Sequence, residues 1–398
     1  MTTPQHRAAL GGTGCVILGA GLAGLSLADA LLTRGVTSPI TLIDVREEFP
    51  DDRTWCFWDV HPHPYRHLVS HRWACWSFSG HGATHRQRSA SAPYCHLPAR
   101  RFYEDVLSRL SAAPNCTLVL GTTVQDVRGQ PGTVRVRTSA GEVTAAHCFD
   151  ALATAGPTWA RLGPATGEQQ LSQRFLGWFV RAPRPVFDPS CMTLMDFDVT
   201  PNGELRFMYV LPFSTTSALV EDTSIGFHGV PADASRDEIR RYLGARFGLH
   251  EVEVLREEES VLPMVSARPP RGDAAAPVIA VGNAAGAVRP SSGYAFIRTQ
   301  RHVARLADAF ARGRPGPVPV ERPREARLDA VFLEALRDDP PGFANHLLSL
   351  GRRMPGDRFA RFMMDAASPA DVLAMVAALP KGPFARAAAR SIATGRMP

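Results

Sequence analysis

The chain has 398 residues, 45 % hydrophobic and 21 % charged, with a formal net charge of +6. That length exceeds one simple core and implies two or three subdomains of an ordinary globular protein. The positive charge rests almost wholly on arginine, Lys381 being the single lysine. The arginines are scattered, without a basic block or aromatic stacking pattern, which argues against a nucleic-acid surface.

In chain order, residues 1–13 read as a loose leader without a charged-then-apolar signal segment. From Cys15 to about Val45 runs a βαβ unit. Its first apolar run enters Gly19-x-Gly21-x-x-Gly24, and helical spacing follows at Leu25, Ala28, Leu31 and Leu32. Gly19 permits the tight turn, Gly21 lets backbone approach a pyrophosphate, and Gly24 lets helix and strand pack closely. The helix N-terminus offers free N–H groups to phosphates. Asp44 closes the next apolar run, twenty residues beyond Gly24, where a ribose hydroxyl would be held. The pattern predicts a dinucleotide site.

Residues 50–99 read as irregular and aromatic-rich. A helix is expected over Pro98 to Leu110, then strands at Thr117–Leu120, Val134–Thr138 and Cys148–Ala153. The small residues Thr154-Ala155-Gly156 suggest a turn near the dinucleotide. Mostly alternating patterns from about 171 to 262 predict an antiparallel sheet, interrupted by a helix at Ser235–Phe247. Val278–Gly286 is again a buried strand entering a small-residue turn. Residues 313–323 look like a linker, and the chain from about 325 is helical and amphipathic. Seven cysteines stand singly, without C-x-x-C. They predict a reducing cytoplasm, with neither a disulfide framework nor a zinc site. No apolar run reaches bilayer-spanning length, so any membrane contact is peripheral.

The resulting plan is α/β: a Rossmann-type FAD-binding domain of the glutathione reductase/hydroxylase kind, interrupted by an antiparallel substrate sheet. The divisions are 14–170 and 266–312 for the two parts of the first domain, 171–265 for the sheet, and 325–398 for a helical C-terminal region.

Several motifs coincide with one family. They are Arg53-Thr54-Trp55-Cys56-Phe57-Trp58, Met195-Asp196-Phe197, Phe207–Phe213, Leu219-Val220-Glu221-Asp222-Thr223, Val261–Met264, Pro290-Ser291-Ser292-Gly293-Tyr294 and Ala378–Phe384. In this order, over almost the whole chain, they make it resemble the bacterial lycopene cyclases, FAD-dependent proteins of carotenoid biosynthesis related to flavin monooxygenases. The resemblance implies that linear ψ-ends of lycopene are closed to β-rings, giving γ- or β-carotene. It also implies reduced FAD without net redox change, recharged by NADPH or NADH. Access to lycopene implies peripheral attachment to the inner face of the cell membrane.

That isomerisation needs a dry acid, an electron-rich partner for a carbocation and a long apolar pocket. Glu221, at the end of an apolar strand, is the candidate acid; desolvation and the Asp222 charge would both keep it protonated. The alternative is that Glu221 and Asp222 open a solvated turn. Asp222 would share or relay the proton, orient Glu221, or cap a turn. Asp196 would hydrogen-bond near flavin or substrate, or sit at an exposed strand end. Gly282, Asn283, Pro290 and Gly293 complete the expected flavin contacts, with Asn283 standing where the superfamily usually has Asp. Asn still accepts a hydrogen bond from a ribityl hydroxyl. Trp55, Phe57 and Trp58 either line a polyene tunnel or belong to the core. The amphipathic stretch Arg352–Arg390 either dips into a bilayer or covers the protein's own core. Glu257, Glu258 and Glu259 have no account at this level. The rivals are a FAD-dependent monooxygenase or reductase acting on an apolar isoprenoid, and a non-catalytic flavin- or carotenoid-binding protein.

Overall fold

The computed structural model describes residues 12–152, 170–264 and 278–393. The turn expected at 154–156 lies outside them, as does nearly all of the leader. The first sheet grows from the βαβ unit. β1 (Gly12–Leu18) lies between β2 (Ile40–Ile43) and β11 (Gly141–Asp150), parallel to both. β8 (Cys116–Val119) extends the sheet beyond β2, and β17 (Val278–Ala280) pairs in parallel with the end of β11. β9 (Val124–Gln130) and β10 (Thr133–Thr138) form an antiparallel meander with β11. Val16, Leu18 and Ile43 face Val134, Val136 and Val143 of this meander, while Ile17 and Leu42 face the helix side. Cover on both faces explains why β1 and β2 are continuous apolar runs. The helix side holds α1 (Leu22–Thr33), α2 (Ala99–Ala112) and α4 (Phe296–Ala311).

The second sheet has the order β16 (Glu253–Pro263), β12 (Ser172–Arg181), β15 (Ser217–Gly226), β14 (Leu205–Pro212), β13 (Met192–Asp196), β5 (Cys75–Gly80) and β6 (Ala83–Arg88). Its pairs are antiparallel except β13 with β5. α3 (Ala232–Phe247) covers one face, with Ile239, Tyr242 and Leu243 against Trp178, Val210 and Val220. The helix stops at Gly248, whose φ of 64° suits a residue without Cβ. Side chains alternate along each strand, so Leu219, Glu221, Thr223 and Ile225 face away from α3, into a cavity.

Residues 50–99 are not irregular. β3 (Thr54–Trp58), β7 (Tyr94–Pro98) and β4 (His71–Trp73) form a small sheet, and β5 and β6 join the second one. All six residues of β5 are buried, and Phe57 and Trp58 are buried side by side. Burial on both faces leaves no alternation to read. Residues 75–88 therefore depart from the division that placed 14–170 wholly in the dinucleotide unit. The expectation of no disulfide is also corrected: Cys75 and Cys191 are bonded, 116 positions apart in sequence. β5 and β13 lie side by side, which brings these two cysteines together; spacing along the chain does not reveal such a contact.

The C-terminal region is helical as expected: α5 (Pro323–Asp338), α6 (Phe343–Arg353), α7 (Gly356–Met363), α8 (Pro369–Ala378) and α9 (Lys381–Ala393). Among the described residues no helix is long and apolar enough to cross a membrane. The five helices close over the cavity face of the second sheet, contributing Phe332, Leu347, Phe359, Met375 and Phe384 to its wall.

Candidate active site

A cavity of about 970 Å³ runs from the dinucleotide turn, across the second sheet, to the C-terminal helices. That is the upper end of the usual range for small-molecule sites. Its polar end lies beyond the carboxyl ends of the parallel strands, the expected crevice of an open α/β sheet. Gly21, Leu22 and Ala23 line it. α1 begins there without a side-chain N-cap or first-turn acid, so its N–H groups face the crevice. Gly19 has φ 96°, and a Cβ on Gly24 would run into the Gly19 carbonyl, so both glycines are required by the turn. In front of Gly21 the space is open, with the Arg46 guanidinium 4.0 Å from the position a Cβ would take.

Asp44 holds the turn. Its carboxylate accepts hydrogen bonds from the Ala20 N–H at 2.5 Å and the Arg46 N–H at 2.8 Å. A Cβ on Gly282 would collide with Ala23, so Gly282 serves the packing of the second glycine turn on α1. Asn283 is exposed in the cavity wall. Ser291, Ser292 and Gly293 line the wall; Pro290 is buried behind them. The buried Ser292 Oγ and Gln173 Oε1 have no protein hydrogen-bond partner among the described residues, and both residues border the cavity. An uncapped helix, an open glycine approach and orphaned polar atoms fit a dinucleotide whose flavin end reaches the second sheet.

Glu221 lines the cavity wall. Burial pushes its carboxyl up to about 8, helped by the neighbouring Glu258 charge and, less, by Asp222; the Thr223 hydroxyl, donating to Glu221 Oε1 at 2.8 Å, pulls the other way. The group is therefore a protonated acid at neutral pH. Beside it, Tyr94 links by its phenol to Tyr209 at 2.8 Å and Tyr294 at 2.9 Å. Burial raises all three phenols, so they remain neutral donors.

The other two acids chosen from sequence do not reach this site. Asp222 faces α3 and is held by Arg206, at 2.9 Å from Nε and 2.7 Å from Nη2. Both side chains of this pair are nearly inaccessible. Asp196 lies on the same face and accepts a 2.9 Å bond from the Tyr242 hydroxyl. The correction has one cause. Alternation sends residue 222 opposite to 221, and the pairing Asp196–Met208–Asp222 places all three on the α3 side. The aromatic motif divides too: Trp55 lines the cavity, whereas Phe57 stacks on Phe296 at 4.6 Å and Trp58 packs against Tyr94, both as core.

Two features escaped the sequence. Glu258 faces the cavity beside Glu221 and accepts a 2.8 Å bond from Thr54 Oγ1. On β16 the half-buried positions 256, 258, 260 and 262 form the inward face, and an acid among them at 258 is the signal. The second is a buried ion network. Arg289 Nε and Ser291 Oγ bond Asp329 at 3.0 and 2.6 Å, and Arg298 joins Asp329 to Asp365. It ties the Pro290–Gly293 loop to the C-terminal helices, a contact between segments too distant for sequence to show.

The family described as lycopene cyclase protein matches residues 15–389. A lycopene beta-cyclase of Paracoccus sp. is 33 % identical over 54 % of this chain and 58 % of its own length. One of Pantoea ananas is 29 % identical over 71 % and 70 %. The chain thus spans less than two thirds of the Paracoccus enzyme in that alignment. Among solved structures, a geranylgeranyl bacteriochlorophyll reductase-like protein of Thermoplasma acidophilum has TM-score 0.63 at 12 % identity, covering 94 % of this chain and 98 % of that one. The halogenase PltM, solved with phloroglucinol and FAD, has TM-score 0.59 at 16 % identity, covering 95 % and 94 %. These structures share the fold. The chain belongs to the lycopene cyclase family.

Proposed function

We propose that this chain is a lycopene beta-cyclase that closes the linear ψ-ends of lycopene to β-rings by acid-initiated cyclisation without net redox change. The observation that carries the reading is Glu221, a carboxyl kept protonated in an apolar cavity that continues to the dinucleotide turn. The names of the relatives supply the substrate class, and the FAD bound in PltM supports FAD as the dinucleotide. The contacts for it are Gly21, the N-terminus of α1, Asp44, Arg46, Asn283 and the Ser291–Gly293 loop. Reduced FAD, when bound, supplies negative charge near the reacting end group, and NADPH or NADH would restore that form.

The chain's own residues do the rest. Glu221 gives its proton to the terminal double bond, with Thr223 fixing the carboxyl. Trp55 presents an aromatic wall, suited to a carbocation. The C-terminal helices exclude water, which would otherwise trap the cation as an alcohol. Leu373 is 70 % exposed and Ile392 67 %, and half-exposed Val376 also lines the cavity. We read this edge of α8 and α9 as the peripheral contact through which a membrane-dissolved polyene enters, on the cytoplasmic side.

The test is an anaerobic assay with lycopene in liposomes, FAD and limiting NADPH. Rings formed in large excess over NADPH consumed are expected. Product locked one-to-one to NADPH, or appearing only with oxygen, would make the protein a redox flavoenzyme and remove this role from Glu221.

A further inference from the structure

We propose that Glu258 is the base of this site, the carboxylate that takes the proton leaving the newly closed ring; the inference rests on the cyclase reading above. Sheet geometry carries it. Gly177 of β12 stands directly opposite Glu221 of β15 on one side and Glu258 of β16 on the other. Residues in register on neighbouring strands share a face, so both glutamates point into the cavity with a glycine between them. A Cβ on Gly177 would come within 2.8 Å of Leu219 Cδ1 and 3.4 Å of Glu221 Cβ. The two carboxyls therefore border a bare strip of backbone. With strands spaced about 4.8 Å apart, their backbones lie roughly 10 Å apart. The closing end group would lie over this strip, between the proton donor and the base.

The surroundings divide the roles. Glu258 accepts the Thr54 hydroxyl and has Arg256 Nη2 at 3.4 Å from its Oε2. Arg256 lies over the Phe179 ring at 3.8 Å and reaches Asp51. Burial, with Asp51, leaves the Glu258 carboxyl above its ordinary value, but Thr54, Arg256 and Arg53 oppose that rise and favour its charged form. Glu221 has Glu258, Cys56 and Tyr294 on its own face and feels the Asp222 charge from the opposite one, and Thr223 is the group that favours its ionised state. Of two carboxyls that discourage each other's ionisation, Glu258 is the one supplied with a cation. It holds the charge, and Glu221 holds the proton.

The steps balance. The Glu221 proton adds to the terminal double bond and leaves a tertiary cation. The internal double bond attacks that cation, forming the ring carbon–carbon bond and a ring cation. A neighbouring C–H gives its proton to Glu258, and its electron pair becomes the ring double bond. After product leaves, the proton returns from Glu258 to Glu221, and no oxidant or reductant is consumed. A ring cation of this type has several neighbouring C–H groups, so the position of the base selects the isomer.

The experiment compares wild type, Glu258→Gln and Thr54→Val, all flavin-loaded and reduced, by product chromatography across pH. In Glu258→Gln, β-ring formation is expected to fall by about 10²-fold, the usual scale of a lost general base. The remaining product should shift to isomers with the ring double bond elsewhere. The low-pH limb of the rate profile should vanish, while the upper limb stays and moves downward, because Glu221 loses the Glu258 charge that helps raise it. Thr54→Val should move the low-pH limb upward and keep the β-ring product. A Glu258→Gln enzyme with wild-type product and both limbs overturns the proposal. Should that variant not fold, an unmoved limb in Thr54→Val overturns it equally. Product locked to NADPH, or full activity in Glu221→Gln, would instead strike the cyclase reading, independently of Glu258.

Discussion

The second sheet buries acids on both faces, and the two faces treat them differently. On the α3 side, Asp222 is clamped by Arg206 through two bonds and Asp196 accepts the Tyr242 hydroxyl. On the cavity side, one residue earlier in the chain, Glu221 is buried with Thr223 as its hydrogen-bond partner and a second glutamate nearby. Asp222, clamped by the Arg206 guanidinium, is part of the scaffold. A buried carboxyl denied a cation keeps its proton and becomes an acid. Sequence neighbourhood therefore says little about role; the face of the strand decides it.

Four experiments sharpen or break this contrast. The largest effect is expected for Glu221→Gln, which should fold and bind flavin yet lose cyclisation by roughly 10³-fold, within the range for a general acid; product chromatography checks it. On the opposite face, Arg206→Met should leave Asp222 buried and unpaired, costing about 3–5 kcal/mol of stability in urea titrations. The double change Arg206→Met with Asp222→Leu should recover much of that loss, and its folded fraction should still cyclise. A double variant that is folded and inactive would return Asp222 to the chemistry.

The third experiment is pH-dependent. Glu221 keeps its proton up to about 8 when folded and releases it near 4.5 in the unfolded chain. Over that window the folded state binds more protons, so this group's contribution to stability declines as pH rises. Glu221→Gln should lack that decline, read as a flatter dependence of urea midpoint on pH. The cyclisation rate should likewise fall as pH rises through about 8. The smallest effect belongs to Thr223→Val. It removes a hydroxyl that favours the ionised form, and should move this upper limb upward by roughly one unit.

Local features were legible in the sequence. The β1–α1–β2 turn follows from glycine spacing within thirty residues, and α2 and α3 from helical spacing. Glu221 stood out through an acid following an apolar run and through its place in a family motif; in the structure it lies mid-strand in β15 rather than at the strand's end. The opposite orientation of Asp222 follows from strand alternation once β15 is seen to continue past Glu221; in the sequence the two acids are only neighbours. What remained hidden depends on contacts between distant segments. Glu258 meets Glu221 only through the order β16–β12–β15, Cys75 meets Cys191 only because β5 joins the second sheet, and Asp329 meets Arg289 only once the C-terminal helices close. The strands β5 and β7 were hidden for another reason, burial on both faces.

The cyclase mechanism depends on Glu221 being a neutral carboxylic acid in the folded protein at pH 7. Infrared difference spectroscopy of wild type against Glu221→Gln reads this directly. A protonated-carboxyl carbonyl band is expected at pH 7, absent in the variant and lost in wild type above about pH 8. A wild-type spectrum showing only the carboxylate form at pH 7 would contradict it.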